Sequence, residues 1–135
     1  MYVGYQTGTT VGADAAYVFT TRYLTNNGIA YNSDTGTFTF RVPGWYQISF
    51  DTTAASSTAS AAVIIPTMVI NGTASTSALT ELVPTSTTDI RNGSFSTVIY
   101  VRPTTPGTFA TMQIKNTGAG SAVTTASNIV ITRIG

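Results

Sequence analysis

The residues that usually carry catalysis are scarce in this chain. It has no histidine and no cysteine, which removes the commonest general base, the usual zinc ligands and a thiolate nucleophile, and rules out a Ser-His-Asp arrangement. Lys115 is the only lysine, and no serine–lysine dyad signature accompanies it. The carboxylates Asp14, Asp34, Asp51, Glu81 and Asp89 are far apart in sequence, three of them in predicted turns or loops. A glycosidase pair would need two of them brought together by the fold. No Asp-x-Asp cluster of the kind that holds calcium is present. The expectation is a protein that is not an enzyme, with no catalytic residue, no metal and no cofactor.

Two motifs have simple local explanations. Asn71-Gly72-Thr73 and Asn92-Gly93-Ser94 match the glycosylation sequon, but Asn-Gly is also the preferred pair for a tight hairpin turn, which accounts for both without a sugar. Trp45, the single tryptophan, follows the Pro43-Gly44 turn on the polar register of its strand. There it is either exposed, ready to stack on a glycan or a partner, or packed beneath a neighbouring loop.

Charge is sparse as well. Six basic and five acidic residues make up 8% of 135, against roughly a quarter in an average soluble domain. A net charge of +1 provides no footprint for nucleic acid or an anionic membrane. The longest apolar run, Ala61 to Ile65, ends at Pro66 and is far too short to span a bilayer. The surface must be covered by Thr, Ser, Asn and Gly, and short hydroxyl side chains lose little entropy when another surface packs against them.

The elements that must position these residues read as strands. Helical periodicity is absent, and Thr, Val, Ile, Tyr and Phe dominate. Strands are predicted over Tyr17 to Thr21, Ile29 to Tyr31, Thr37 to Val42, Trp45 to Thr53, Ala62 to Ile70, Ser77 to Val83, Ser94 to Arg102, Phe109 to Asn116, Ala122 to Thr124 and Asn128 to Ile134. Turns are predicted at Asn26-Asn27-Gly28, Asp34-Thr35-Gly36, Asn71-Gly72, Asn92-Gly93 and Pro103 to Gly107, and a loop over Ala54 to Ala62. Alternation assigns Phe38, Phe40, Tyr46, Ile48, Phe50, Phe95, Ile99 and Val101 to one side of their strands, with Gln47, Ser49, Asp51, Val98 and Tyr100 on the other. Pro66 cannot donate a ladder hydrogen bond and should mark an edge or a bulge. About ten short strands with frequent turns indicate an antiparallel sandwich or barrel. The last strand, Ile129-Val130-Ile131, is apolar on both faces; either another copy of the chain or a loop must cover its outer side.

The segment Phe38-Thr39-Phe40-Arg41-Val42-Pro43-Gly44-Trp45-Tyr46-Gln47-Ile48-Ser49-Phe50 resembles the Phe-x-x-x-x-x-Gly-x-Tyr-x-(apolar)-x-(aromatic) signature of the TNF-like jelly rolls, a superfamily that includes the complement globular heads and bacillus spore-surface glycoproteins. Val69-Ile70-Asn71-Gly72, Asn116-Thr117-Gly118 and the closing Ser127 to Ile134 are similar to later family elements, in the same order. The resemblance implies a ten-stranded, two-sheet antiparallel jelly roll over residues 15–135 that assembles as a compact homotrimer, with the sheet carrying the first and last strands facing the three-fold axis. Residues 1–14 would be an arm, anchoring or frayed. Tyr17, Phe19, Phe109 and Met112, on strands the resemblance places in that sheet, would line the trimer interface or pack the core, and Ile129 and Ile131 join them as interface candidates.

The function expected is structural display on a particle surface, as a bacteriophage virion head fibre, capsid decoration or tail-associated head. Its partners would be its own copies and other proteins of the particle, with a host-surface glycan or protein a further possibility. The alternatives are a receptor- or glycan-binding module with Trp45 in the contact, or a protein of a bacterial spore or cell surface.

Overall fold

A computed structural model describes residues 1–25, 28–58, 62–103 and 108–135. The turns expected at Asn26-Asn27-Gly28 and Pro103 to Gly107 lie partly outside those residues. Among the described residues, eleven strands form two antiparallel sheets and no helix occurs. One sheet runs β3 (Thr20–Leu24), β1 (Tyr2–Gln6), β11 (Ala122–Arg133), β6 (Gly44–Ser56), β9 (Arg91–Val101), with β2 (Thr9–Val11) also pairing with β11. The other runs β4 (Ile29–Asn32), β5 (Thr37–Phe40), β10 (Ala110–Asn116), β7 (Pro66–Ile70), β8 (Thr73–Leu79). This is the two-sheet jelly roll, and the first and last strands are neighbours in one sheet, Tyr2 opposite Ile131.

Alternation determines what lies between the sheets. β6 buries Tyr46, Ile48 and Phe50 and turns Trp45, Gln47 and Asp51 outward. β5 contributes Phe38 and Phe40, β9 Phe95 and Val101, and β11 Ile129 and Ile131. Phe50 sits within an aromatic cluster, 5.3 Å from Tyr17 and 5.4 Å from Phe95 between ring centroids. Tyr2, Tyr31 and Phe38 form a second cluster at 4.5–5.2 Å.

Several expectations need correction. Residues 1–14 are not an arm: Tyr2–Gln6 is an interior strand between β3 and β11, and the Tyr2 side chain is fully buried. The expected loop from Ala54 begins too early, because β6 continues to Ser56, paired with Ala122. The two predicted C-terminal strands are one strand with a register shift between Thr124 and Ala126. Of the two expectations for Pro66, an edge or a bulge, the structure has the irregularity: Pro66 is the first residue of β7, between β10 and β8, where a missing N–H is tolerated, and the pairing with β8 shifts register just after it, between Thr67 and Val69. Asn71-Gly72 is a hairpin turn with both residues at positive φ, 49° and 79°, as a tight primed turn requires. Asn92-Gly93 is no turn and lies inside β9, opposite Thr53 and Thr52. Its glycine answers a close approach: a Cβ there would lie 2.7 Å from both Leu82 Cδ2 and Thr80 Oγ1.

Burial also tunes the tyrosines. It pushes the Tyr2 hydroxyl up to about 12, against a partial opposing effect of the hydrogen bond that Thr21 Oγ1 donates to it. Burial raises Tyr17, Tyr31 and Tyr46 too. In the unfolded chain these groups ionise near 10, so above that pH the unfolded state loses protons that the folded state keeps. Stability is therefore intact below pH 10 and falls as pH rises from 10 towards 12. Alkaline titration should show tyrosinate absorbance from the buried rings appearing together with loss of the sheet circular-dichroism signal; ionisation of all seven tyrosines with the sheet intact would contradict this.

Candidate functional site: the outer face of the six-stranded sheet

The outer face of this sheet is built by register. Cross-strand partners share a face, so Tyr23, Val3, Val130, Ser49 and Ser96 form one row across β3, β1, β11, β6 and β9. Tyr5, Asn128, Asp51 and Ser94 form the next, and Trp45 with Tyr100 closes the face at one end. Trp45, Tyr100 and Val98 are each about half exposed, at 49%, 50% and 48%, and the rings of Trp45 and Tyr100 lie 5.1 Å apart. The main chain of Trp45 is fixed: its N–H donates to Gly135 O and its carbonyl accepts from Ile134 N. At the other edge of the face, Tyr23 (49%) is exposed, and the Arg22 guanidinium lies 3.9 Å above the Tyr5 ring centroid.

The residues expected at a trimer contact mostly lie elsewhere. Tyr17, Phe19, Met112, Ile129 and Ile131 are buried between the two sheets of a single chain. Parity decides this for the closing strand: Ile129 pairs with buried Phe50 and Ile131 with buried Ile48, which leaves Val130 on the outer face. Met112 is on β10, in the opposite sheet. Tyr17 and Phe19 precede β3 and face the core. Phe109, just before β10, is 38% exposed and lines an open cleft of about 570 Å³ with Phe40, Ile70, Ile99 and Tyr100. Trp45 is outside, as one of its two readings had it. Val3, Tyr5 and Tyr23 were missed with the strands that carry them; the core face of β1, Tyr2-x-Gly4-x-Gln6, has no apolar alternation by which to find it.

Three of the five carboxylates are engaged by neighbouring side chains. Asp89 is locked by Arg91, whose Nε and Nη2 donate to its two oxygens at 2.9 Å, and by Thr85, whose N–H and hydroxyl donate at 2.8 Å. Arg91 first, then Thr85, holds the Asp89 carboxyl well below the usual carboxylate range. Asp14 pairs with Lys115 at 3.2 Å, Asp34 is exposed in a turn, Glu81 is exposed just after β8, and Asp51 accepts from Asn128 Nδ2 at 3.1 Å. Among the described residues, no three His, Cys, Asp or Glu side chains group as they would around a metal ion, and no helix is long and apolar enough to cross a membrane.

Residues 1–102, three quarters of the chain, match the C1q domain. The chain belongs to the C1q domain family. The match takes in β1 to β9, and the C1q-type sandwich is then closed by β10 and β11. No curated protein matches the sequence. Among solved structures, the C1q-type fold seen here is similar to Eiger TNF from S. frugiperda, at 11% identity and a TM-score of 0.68 over 99% of this chain and 93% of that one. It is also similar to the PRD1 vertex protein P5, at 15% identity and 0.57 over 99% and 96%, and to murine APRIL, at 7% and 0.55 over 95% and 97%. At these identities the likeness is one of fold, and it places the C1q-type chain among TNF-like jelly rolls.

Proposed function

We propose that this C1q-type chain is a non-enzymatic structural head that works as a homotrimer on a particle surface, and that the particle is a bacteriophage virion, in which it serves as a head fibre, capsid decoration or tail-associated head. The observation that carries the assembly is the division of the outer sheet face. One apolar patch, Tyr23, Val3 and Val130, lies towards the β3 edge; another, Trp45, Val98 and Tyr100, lies at the β9 side, with Gln47, Ser49 and Asp51 of β6 between them. Two unlike patches at opposite edges of one face suit a heterologous contact, in which one edge of a copy meets the other edge of the next, and such contacts form a ring when the rotation between copies closes. The TNF-like resemblance makes three the number of copies in that ring.

The particle assignment is supported by the fold shared with a vertex protein and by the charge-poor, hydroxyl-rich surface, which suits packing against neighbours. Absent histidine and cysteine support the non-enzymatic half. A second reading rests on the Trp45–Tyr100 pair alone: on a chain that stays single, this aromatic ledge is free to stack on a host-surface glycan or protein.

Light scattering of the purified protein should return three times the 14.1 kDa of the chain, and mass spectrometry should find the chain in purified virions. A mass near 14.1 kDa would overturn the trimer and leave the ledge as the working surface. Detection in spores or cell envelopes and not in virions would overturn the particle.

A further inference from the structure

Resting on the homotrimer proposed above, we infer that Arg22 of one copy and Asp51 of the next form the ion pair that seats the subunits on one another. All charged side chains fall among the described residues, and the ion pairs within the chain are Arg91–Asp89 and Lys115–Asp14. Arg22 and Asp51 therefore have no ion-pair partner in their own chain. They are also the two charges on the outer sheet face: the other charged residues of this sheet are Arg91 and Arg133, opposite buried Ala54 and Tyr46 at the strand ends, and they hold Asp89 and the Pro43 carbonyl.

Their placement makes an internal pair impossible and a pair between copies natural. Val3 faces Tyr23 and Gly4 faces Thr21, so Arg22 is the bulged residue of β3. The bulge turns its guanidinium onto the outer face, over Tyr5. Tyr5 is in register with Asn128, and Asn128 with Asp51. Three strand spacings, about 14 Å, separate β3 from β6, and the guanidinium, lying over Tyr5 of β1, is still two spacings, about 10 Å, from Asp51. Arg22 belongs to the β3 edge and Asp51 lies one strand in from the β9 edge. A heterologous contact brings those opposite edges together, and each copy in a ring then presents one charge to either neighbour. A carboxylate covered by an apolar neighbour needs a cation facing it, and complementary charges fix which register of the two faces is accepted. Asn128, which donates to Asp51 Oδ1, leaves the second carboxylate oxygen for the guanidinium.

The test is charge reversal and its rescue. Asp51→Arg and Arg22→Asp, made singly, should each raise the trimer dissociation constant by about tenfold or more, and the double variant should return it towards the wild-type value. Both residues are exposed on a sheet face, and circular dichroism of each variant verifies the fold; Asp51→Asn and Arg22→Gln serve in place of any reversal that misfolds, each expected to weaken the trimer. A wild-type protein that is monomeric overturns the trimer and the pair together. A wild-type trimer whose single variants dissociate no more readily, or whose double variant stays as weak as the singles, overturns the pair alone.

Discussion

Replacing Asn116 by alanine is expected to destabilise the fold by about 3–5 kcal/mol, among the largest effects of any single polar substitution in the chain. Asn116 is the last residue of β10 and is fully buried. Its Oδ1 accepts from Ile65 N and Gly118 N, both at 3.1 Å. Its Nδ2 donates to Gly120 O at 2.7 Å and Val11 O at 3.3 Å. One amide thus fastens the chain entering β7, the turn before β11, and β2, three segments with few ladder bonds of their own. Truncation orphans four main-chain groups, at about 1–3 kcal/mol for each that water cannot reach. The glycines of that turn cannot be filled to compensate: a Cβ on Gly118 would sit 2.2 Å from Val63 O. Asn116→Asp is expected to be nearly as damaging at neutral pH, because it sets a carboxylate against the carbonyls of Val11 and Gly120. Chemical denaturation measures both, and a loss below about 1 kcal/mol for the alanine variant would contradict the role given to Asn116.

The second large effect concerns assembly. Val130→Asp is expected to convert the trimer into a folded monomer. Val130 lies mid-face on β11, between Val3 and Ser49, half-buried in the single chain and covered in the proposed ring. Each copy would bring a carboxylate to the contact without a cation to meet it, at an effective cost of several kcal/mol per buried ion. Outside the ring the same aspartate is solvated, so the subunit keeps its sheets. Light scattering should fall to 14.1 kDa with the circular-dichroism spectrum retained. A Thr73→Asp control, exposed on β8 of the other sheet, should remain trimeric. A Val130→Asp variant that keeps the trimer mass would place the contact elsewhere.

How much was legible in the sequence follows from how strictly each strand alternates. β5, β6 and β9 carry an aromatic or β-branched residue at nearly every core position, and their inner faces are as expected, down to Val98 and Tyr100 on the outside. β1 escaped notice because its core face reads Tyr2, Gly4, Gln6. Gly4 is there because Tyr2 and Phe19 occupy the space of a side chain, and a Cβ would lie 2.8–2.9 Å from their atoms. Gln6 is there because the end of the sandwich is lined by hydroxyls, with Thr124 Oγ1 donating to its Oε1. Neither residue registers as apolar, so a buried strand resembles a polar tail. The double-sided closing strand was a true signal whose parity was hidden. Only the pairing of Ile129 with Phe50 reveals that Val130, and not its two isoleucine neighbours, looks outward.

The antiparallel pairing of β1 with β11 gives the domain a polarity. Tyr2 faces Ile131, and Gly135 is held against Trp45, so both chain ends leave from one pole. The Thr85 to Asp89 loop, clamped by the Asp89 network, leads into Arg91 opposite Ala54, at the far end of the long β6 strand. Whatever is joined to either end, a shaft, a capsid protein or a purification tag, approaches from the same side. The clamped loop is carried at the distal tip, where a peptide inserted between Thr85 and Asp89 would point away from the attachment.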